Sequence, residues 1–392
     1  MFAEVPLVVV SDRSANEAAI AELSKARVLG VDTESDSFYA YHEKVCLVQI
    51  SDGRRDYVFD PLANGVDLRL LAPLMANPNI VKIFHGADFD IVSLKRDFGY
   101  TVTNVFDTLV AAQQLGLPRV GLADLVGTWF GHDLDKALQR HNWALRPLRF
   151  EHLDYARGDT HWLPALREIL LRRIGLAGRN RAVEEECALL QHREWKGRTF
   201  DPNAYAGIKG ARLLEPTAQR VLRALFVYRD RAARELDRPV FKVIPDDVLM
   251  AVTRRLPKSE GDLGDSVPDR SSLRRRHAAG LVKAVHSGLA DTSPLPPANK
   301  PREAKVATGG RRLTGRQAER VMAELKNWRN GVVDAGRVNG QAAALPNGTL
   351  KSISSYRPRT LEELGAVPEV RAWQVVDFGD EILRVLNEVD PQ

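Results

Sequence analysis

Two carboxylates stand at alternate positions at the end of an apolar run, in Val31-Asp32-Thr33-Glu34. Alternate side chains of a β-strand project to the same face, so a strand here places Asp32 and Glu34 side by side. Two buried carboxylates on one face are costly unless a cation lies between them, and oxygen ligands of this kind suit Mg²⁺ or Mn²⁺. Alone the pattern is weak, because a strand that runs out into solvent can carry the same residues.

A second acidic pair follows another apolar run, in Ile83-Phe-His-Gly-Ala-Asp-Phe-Asp90. The pattern predicts a strand that ends at Phe84 and a helix that begins near Asp88. Ligand sites of α/β folds collect at the carboxyl ends of strands. Asp88 suits a capping position, which leaves Asp90 to face the site, and His85 is expected to pack rather than to bind a metal.

The third group is Tyr155-Ala-Arg-Gly-Asp159. Positions i and i+4 lie on one face of a helix, so the phenol of Tyr155 and the carboxylate of Asp159 are expected to point the same way. A tyrosine beside a carboxylate can orient or deprotonate a water molecule. An amphipathic helix with a tyrosine at the edge of the core has the same pattern.

The elements that must position these groups read as an α/β domain over residues 1–180, because apolar strand-like runs alternate with helical periods. The connections between the predicted strands Val28–Val31, Val45–Ile50 and Tyr57–Phe59 are short, which favours an antiparallel arrangement of these three neighbours. The predicted strands are Val28–Val31, Val45–Ile50, Tyr57–Phe59 and Val81–Phe84, and the predicted helical stretches include Leu68–Met75 and Ile91–Phe98.

Beyond residue 205 helical patterns dominate and an internal repeat is present. Arg220-Val221-Leu222 returns as Arg320-Val321-Met322, and Pro245 and Leu249 return as Pro346 and Leu350. Two copies of a helical module of roughly 80 residues explain this repeat. Thr360-Leu-Glu-Glu363 has the form of a capping box, which predicts the start of a helix.

The composition is that of a soluble protein with a basic excess. The net charge is +5, and nine Lys or Arg but three Glu fall between Lys300 and Arg329, a local positive field that suits a phosphate backbone. Two cysteines do not make a disulfide framework, and no apolar run is long enough to span a bilayer. We therefore expect a cytoplasmic protein, no membrane partner and a monomer.

The order of these acidic residues and the tyrosine resembles that of the tyrosine-bearing branch of the DEDD exonuclease superfamily. The residues are Asp32, Glu34, Asp90, Tyr155 and Asp159, and the stretches VDTES, HGADFD and YARGD correspond to the three motifs of that superfamily. VCLVQI, FDT and WALRPL resemble segments of ribonuclease D proteins. HGADFDIVSLKRDFG and YARGDTHWL are also similar to the catalytic exonuclease of the eukaryotic nuclear exosome. The repeated modules resemble HRDC domains, which bind nucleic acid.

The resemblance implies a ribonuclease H-like α/β exonuclease domain, a mixed sheet flanked by helices, followed by two all-α HRDC-like modules. We expect the exonuclease domain at residues 1–195, the first module at 208–290, a flexible basic linker at 291–312 and the second module at 313–392.

The same resemblance implies 3′→5′ hydrolysis of RNA with two divalent metal ions, Mg²⁺ or Mn²⁺, and release of nucleoside 5′-monophosphates. Asp32, Glu34, Asp90 and Asp159 would be the metal ligands, and Tyr155 would position the attacking water. The expected partners are tRNA precursors or other structured RNA with 3′ tails, and single-stranded DNA is a further candidate. Two alternatives stay open: a 3′→5′ DNA exonuclease, and a non-catalytic nucleic-acid-binding scaffold.

Overall fold

The computed structural model describes residues 5–197, 199–266, 271–296 and 315–389. They form two compact units. One contains the residues up to Ser35, Val45–Trp195 and the described C-terminal segment, and the other contains Asp36–Lys44 and the residues from Lys196 to 296. Within these ranges no helix is both long and apolar enough to cross a membrane. Most of the linker expected at 291–312 lies outside the described residues.

The first unit is built on one mixed sheet of six strands in the order β1-β4-β3-β2-β5-β6. As predicted, β2, β3 and β4 are antiparallel neighbours, whereas β1 runs parallel to β4, and β5 and β6 run parallel to β2 and to each other. The strands are β1 (Leu7–Val10), β2 (Val28–Ser35), β3 (Val45–Ser51), β4 (Asp56–Phe59), β5 (Val81–Phe84) and β6 (Val105–Asp107).

Helices cover both faces of this sheet, because the central strands carry apolar side chains on both sides. One face packs on α1 and α3 through residues such as Val31, Leu23 and Ile91, and the other packs on α4 and α7 through residues such as Ile83 and Leu166. The helices are α1 (Arg13–Leu23), α2 (Ala72–Ala76), α3 (Asp88–Phe98), α4 (Thr108–Gln114), α5 (Leu122–Phe130), α6 (Phe150–His161), α7 (Leu163–Leu176) and α8 (Asn180–Leu190).

The predicted repeat is present as two sets of helices in matching order, with a 3₁₀ helix at Gly261–Ser266 in the first set where the second set has a short α-helix. The first set is α9 (Pro216–Glu235), α10 (Val240–Val243), α11 (Asp246–Arg255) and α12 (Ser271–Ala290). The second set is α13 (Gly315–Asp334), α14 (Gln341–Ala344), α15 (Asn347–Tyr356), α16 (Leu361–Gly365) and α17 (Ala372–Val389). Thr360 caps α16 as predicted, since its hydroxyl accepts from the Glu363 backbone N–H at 3.1 Å.

The connection between β2 and β3 belongs to the unit of the first module. The Tyr41 hydroxyl donates to Asp230 at 2.7 Å, and the backbone N–H groups of Tyr41 and His42 donate to the Asp237 carboxylate at 3.0 and 3.1 Å. Tyr41 is 2% exposed and lies in the same core as Val221. Residues 36–44 are thus part of the helical unit, which the sequence analysis did not foresee.

The second module packs on α4 and α8 within the first unit. The Asn339 backbone N–H donates to Gln113 O, and its side-chain amide donates to Leu117 O, both at 2.7 Å. The Glu185 carboxylate accepts from the Ala372 and Trp373 backbone N–H groups at 2.9 and 3.0 Å, which satisfies the amino end of α17. These polar contacts fix the module to the α/β domain.

Gly116 lies where the second module comes close to the α/β domain. A Cβ atom there would lie 1.8 Å from the Gly336 carbonyl oxygen, while one at Gly99 would meet nothing within 4 Å. Both glycines have positive φ, 65° and 69°, so each change to alanine costs about 1–2 kcal/mol in backbone strain.

We expect Gly116→Ala to destabilise the protein clearly more than Gly99→Ala, because only the former displaces the second module. Urea unfolding of both variants measures the free-energy difference, and limited proteolysis follows release of residues 315–389. Equal losses for the two variants would contradict the close approach.

Candidate active site

Three of the predicted ligands meet at the end of β2. Asp32 and Glu34 share a face of this strand, and α6 brings Asp159 over the same face, so that one carboxylate oxygen of each lies within 4.8 Å of the others. The register of β2 against β3 shifts between Glu34 and Ser35. Such a bulge bends the strand end and re-aims side chains, a common device beside active sites.

Asp90 approaches from the opposite face of the sheet, because α3 packs there with Val31. Its carboxylate accepts a 2.6 Å hydrogen bond from the Thr33 hydroxyl and is not in the cluster of three. It remains close enough to raise the pKa of Asp32, Glu34 and Asp159. Asp88 does not cap α3, as the sequence had suggested; it is the first helical residue, is exposed and pairs with Arg193.

Helix α6 carries its functional residues on one face and its anchors on another. Tyr155 and Asp159 are one turn apart and face the site, and Arg157 and His161 form a second pair with the same spacing. Arg157 Nε and His161 Nδ1 lie 3.0 and 2.8 Å from Asp56 Oδ2, and Asp56 is completely buried at the start of β4. This buried network fixes the rotation of α6, and with it the side of the sheet to which the Tyr155 backbone position is turned.

Asp107 holds the turn that leads into α3. Its buried carboxylate accepts from the backbone N–H groups of Gly86 and Ala87, the latter at 2.7 Å, and also caps α4. His85 Nδ1 lies 2.9 Å from the Thr108 hydroxyl oxygen, and burial lowers the pKa of His85 to about 4. Since the Thr108 hydroxyl donates to Phe84 O, its oxygen accepts from His85 Nδ1–H.

The carboxylates of the cluster have raised pKa values, as expected for buried acidic groups without a positive charge beside them. Burial, and then repulsion from neighbouring carboxylates, raise the pKa of Asp32 and Glu34 well above their usual values and that of Asp159 to about 7. Burial raises the pKa of Asp90 to about 6. Nowhere in the described chain does Lys, Arg or His form an ion pair with any of the four.

The donor set fits divalent cations. Oxygen-only ligands with excess negative charge suit Mg²⁺ or Mn²⁺. Gln49 stands opposite Asp32 on β3, on the same face, and is completely buried. Its amide oxygen and nitrogen have no hydrogen-bond partner among the described residues. A buried amide without a partner is costly, so its place beside the carboxylates is consistent with a polar shell that a bound cation would complete.

The sequence analysis did not assign the anchoring residues Asp56, Asp107, Arg157 and His161. Arg157 lies in the YARGD motif and Asp107 in the FDT segment, so a charged residue within a family motif could have indicated a structural role for each. Asp56 had no such signal, since an acidic residue at the start of a short strand is most often exposed.

Comparisons with known proteins identify the family of the chain. The 3′-5′ exonuclease family profile matches residues 7–175, and the HRDC domain profile matches residues 218–285 and 318–386. A ribonuclease D of Sphingobium indicum is 30% identical over 69% of this chain and 70% of its own length. The chain belongs to the ribonuclease D family.

Two further relatives qualify this assignment. An exosome complex component 10 homolog of Caenorhabditis elegans is 34% identical over 66% of the chain, but the chain spans only 30% of that relative. The crystal structure of Escherichia coli RNase D superposes with a TM-score of 0.69, at 23% identity over 98% of this chain and 99% of that one, and it supports the ribonuclease D fold. The HRDC domain profile confirms the two HRDC-like modules of the sequence analysis as HRDC domains.

The raised pKa values predict opposite effects of pH on the metal-free and the metal-bound protein. The folded metal-free protein holds protons that the unfolded chain releases, so its stability is expected to fall as pH rises between about 4 and 7. A bound cation removes the repulsion, and we therefore expect Mn²⁺ to raise the melting temperature more at pH 8 than at pH 5.

Thermal unfolding with saturating Mn²⁺ or with EDTA at both pH values measures this difference. Asp90→Asn should reduce it, whereas Asp88→Asn, an exposed change two residues away, should preserve it. A Mn²⁺ effect of equal size at both pH values would argue against a carboxylate metal site.

Proposed function

We propose that this ribonuclease D family member is a 3′→5′ exoribonuclease that uses two divalent metal ions. The observation that carries the proposal is the group of Asp32, Glu34 and Asp159, whose oxygens converge within 4.8 Å without a basic partner among the described residues. The C. elegans relative is by name a component of an exosome, and the S. indicum relative is by name a ribonuclease D. Both names favour RNA as the substrate.

In this proposal Asp32, Glu34, Asp90 and Asp159 hold the metal ions. To bind a metal ion, the Asp90 carboxylate would either give up its hydrogen bond with the Thr33 hydroxyl or keep it on one oxygen and use the other as a ligand. Bound divalent cations supply an activated water and neutralise charge on the phosphate being cleaved. Glu34 would also contact the terminal 3′ hydroxyl, which would restrict cleavage to the chain end and release nucleoside 5′-monophosphates.

Tyr155 is proposed to orient the attacking water. Burial, followed by repulsion from Asp159, Glu34 and Asp32, raises the pKa of its hydroxyl. A phenol that stays protonated near neutral pH is a poor general base but a good hydrogen-bonding group. Of the two roles that the sequence left open, orientation of the water is therefore favoured over its deprotonation.

We propose tRNA precursors or other structured RNA with 3′ tails as the natural substrates, single-stranded DNA as a poorer one, and action as a cytoplasmic monomer. The HRDC domains would add contacts to the phosphate backbone. The exonuclease domain is proposed at residues 1–195 and the two modules at 208–290 and 313–392, joined by a basic linker at 291–312.

The test is incubation of the protein with a 5′-labelled tRNA precursor that carries a 3′ tail, in Mg²⁺, Mn²⁺ or EDTA. We expect a metal-dependent ladder that shortens from the 3′ end. Asp90→Asn should slow it by on the order of 10²–10⁴, since a lost ligand costs several kcal/mol of transition-state stabilisation. Asp88→Asn, from the same helix turn, should cleave like wild type.

A matched single-stranded DNA separates the alternatives. DNA that is shortened as fast as RNA would indicate a DNA exonuclease. Binding of RNA without shortening in either metal would indicate a scaffold in which the carboxylates do not assemble with cations.

A further inference from the structure

Tyr155 has no hydrogen bond to hold its hydroxyl among the residues that the structure describes, so the packing of its ring must set its direction. The ring lies beside Trp143, with 5.8 Å between ring centroids. Both belong to a small core under α6 that also contains Cys46, Val58 and Ala156. The position of Trp143 therefore decides where the phenol of Tyr155 points.

Trp143 is held by its backbone rather than by its own polar atom. It is 1% exposed, and its indole N–H has no hydrogen-bond partner in the described chain. It lies in a segment without helix or strand, residues 141–148, which leads directly into α6. The backbone groups of such a segment need hydrogen-bond partners: Leu145 N–H donates to Asn142 O at 3.0 Å, while the backbone oxygens of Trp143 and Leu145 need donors.

Arg146 supplies those hydrogen bonds. All five N–H groups of its guanidinium are used, two of them on the backbone oxygens of Trp143 at 2.7 Å and Leu145 at 2.8 Å, and one on Cys46 O of β3 at 3.1 Å. The other two form a bidentate pair with the Asp60 carboxylate at 2.6 and 2.7 Å. One side chain thus ties the segment to itself, to β3 and to the residue after β4.

Asp60 is a firm anchor for this arginine. Its side chain is 8% exposed, its backbone N–H donates to Val10 O at 3.0 Å, and its carboxylate also accepts from the Leu62 N–H at 2.9 Å. The planar fork of arginine matches a carboxylate in two hydrogen bonds, and lysine cannot reproduce it. The pair is therefore specific for arginine in geometry as well as in charge.

We infer that Arg146 is a positioning residue for the exonuclease reaction: clamped by Asp60, it fixes Trp143 against the ring of Tyr155 and so aims the phenol at the carboxylate cluster. The inference rests on the proposed function, since Tyr155 is given its role there. It adds Asp60, Arg146 and Trp143 to the residues on which catalysis depends, although none of them is a metal ligand.

The test is a double-mutant cycle of Arg146→Lys and Tyr155→Phe, read as single-turnover cleavage of a short 5′-labelled RNA in Mn²⁺. Arg146→Lys alone should slow cleavage on the order of 10–100-fold, as expected for a misplaced catalytic group, with KM for RNA and Mn²⁺ affinity changed less than about twofold. In the Tyr155→Phe background the same change should cost almost nothing, because residues that act through one another are not additive. Arg13→Lys, in an exposed ion pair of α1, is the matched control.

A second readout does not depend on activity. With 3-fluorotyrosine incorporated only at position 155, the ¹⁹F resonance should shift in Arg146→Lys and stay in place in Arg13→Lys, because the ring current of Trp143 changes only in the former. Should Arg146→Lys fail to fold, Trp143→Phe keeps the arginine clamp, alters the contacting ring and should show the same loss and the same non-additivity.

Equal losses from Arg146→Lys with and without the Tyr155 hydroxyl, loss of Mn²⁺ binding, or an unmoved ¹⁹F line would each overturn the role of Arg146. A wild-type protein that does not shorten RNA overturns the proposed function itself, and the inference with it. An active wild type with additive losses overturns the inference alone.

Discussion

The main constraint on the structure is that it holds four carboxylates close together. They repel one another, and no basic side chain of the described chain neutralises them. Burying Asp32, Glu34, Asp90 and Asp159 without a cation costs free energy, which appears as their raised pKa values. Burial is the largest cause for all four, and repulsion from neighbouring carboxylates adds to it for Asp32, Glu34 and Asp159. The surrounding scaffold offsets that cost with buried hydrogen bonds to backbone and to arginine. The acidic site is preformed, and in the proposed function this preformed state is the one that a divalent cation would stabilise.

The strand β4 has a part in this scaffold that its four residues do not suggest. Asp56 at its start binds Arg157 of α6, and Asp60 just after its end binds Arg146 ahead of α6. Both ends of one short strand thus fix the helix that carries Tyr155. Each arginine is paired with a carboxylate that is less than a tenth exposed, which is the arrangement in which removal of one partner is most disruptive.

Sequence patterns predicted β2 to β5 and the repeat, because strand alternation and helical spacing are local properties. The meeting of Asp32, Glu34 and Asp159 was expected from the family resemblance of their motifs, not from periodicity. Sequence patterns did not predict that Asp90 bonds to Thr33, since that depends on α3 lying on the opposite face of the sheet. Nor did they identify Asp56 as an anchor, because its partners lie about a hundred residues away. Local periodicity does not contain such pairings.

Residues 36–44 carry a consequence for the order in which the molecule is made. The backbone N–H groups of Tyr41 and His42 donate to the Asp237 carboxylate, and Asp237 comes 196 and 195 residues later in the sequence. On a ribosome, the connection between β2 and β3 must wait for α9 and Asp237 of the first module before its backbone groups and the Tyr41 hydroxyl find these partners. The strand with the first two acidic residues is therefore continued by a segment that completes its folding late, whereas helices with local partners can form early.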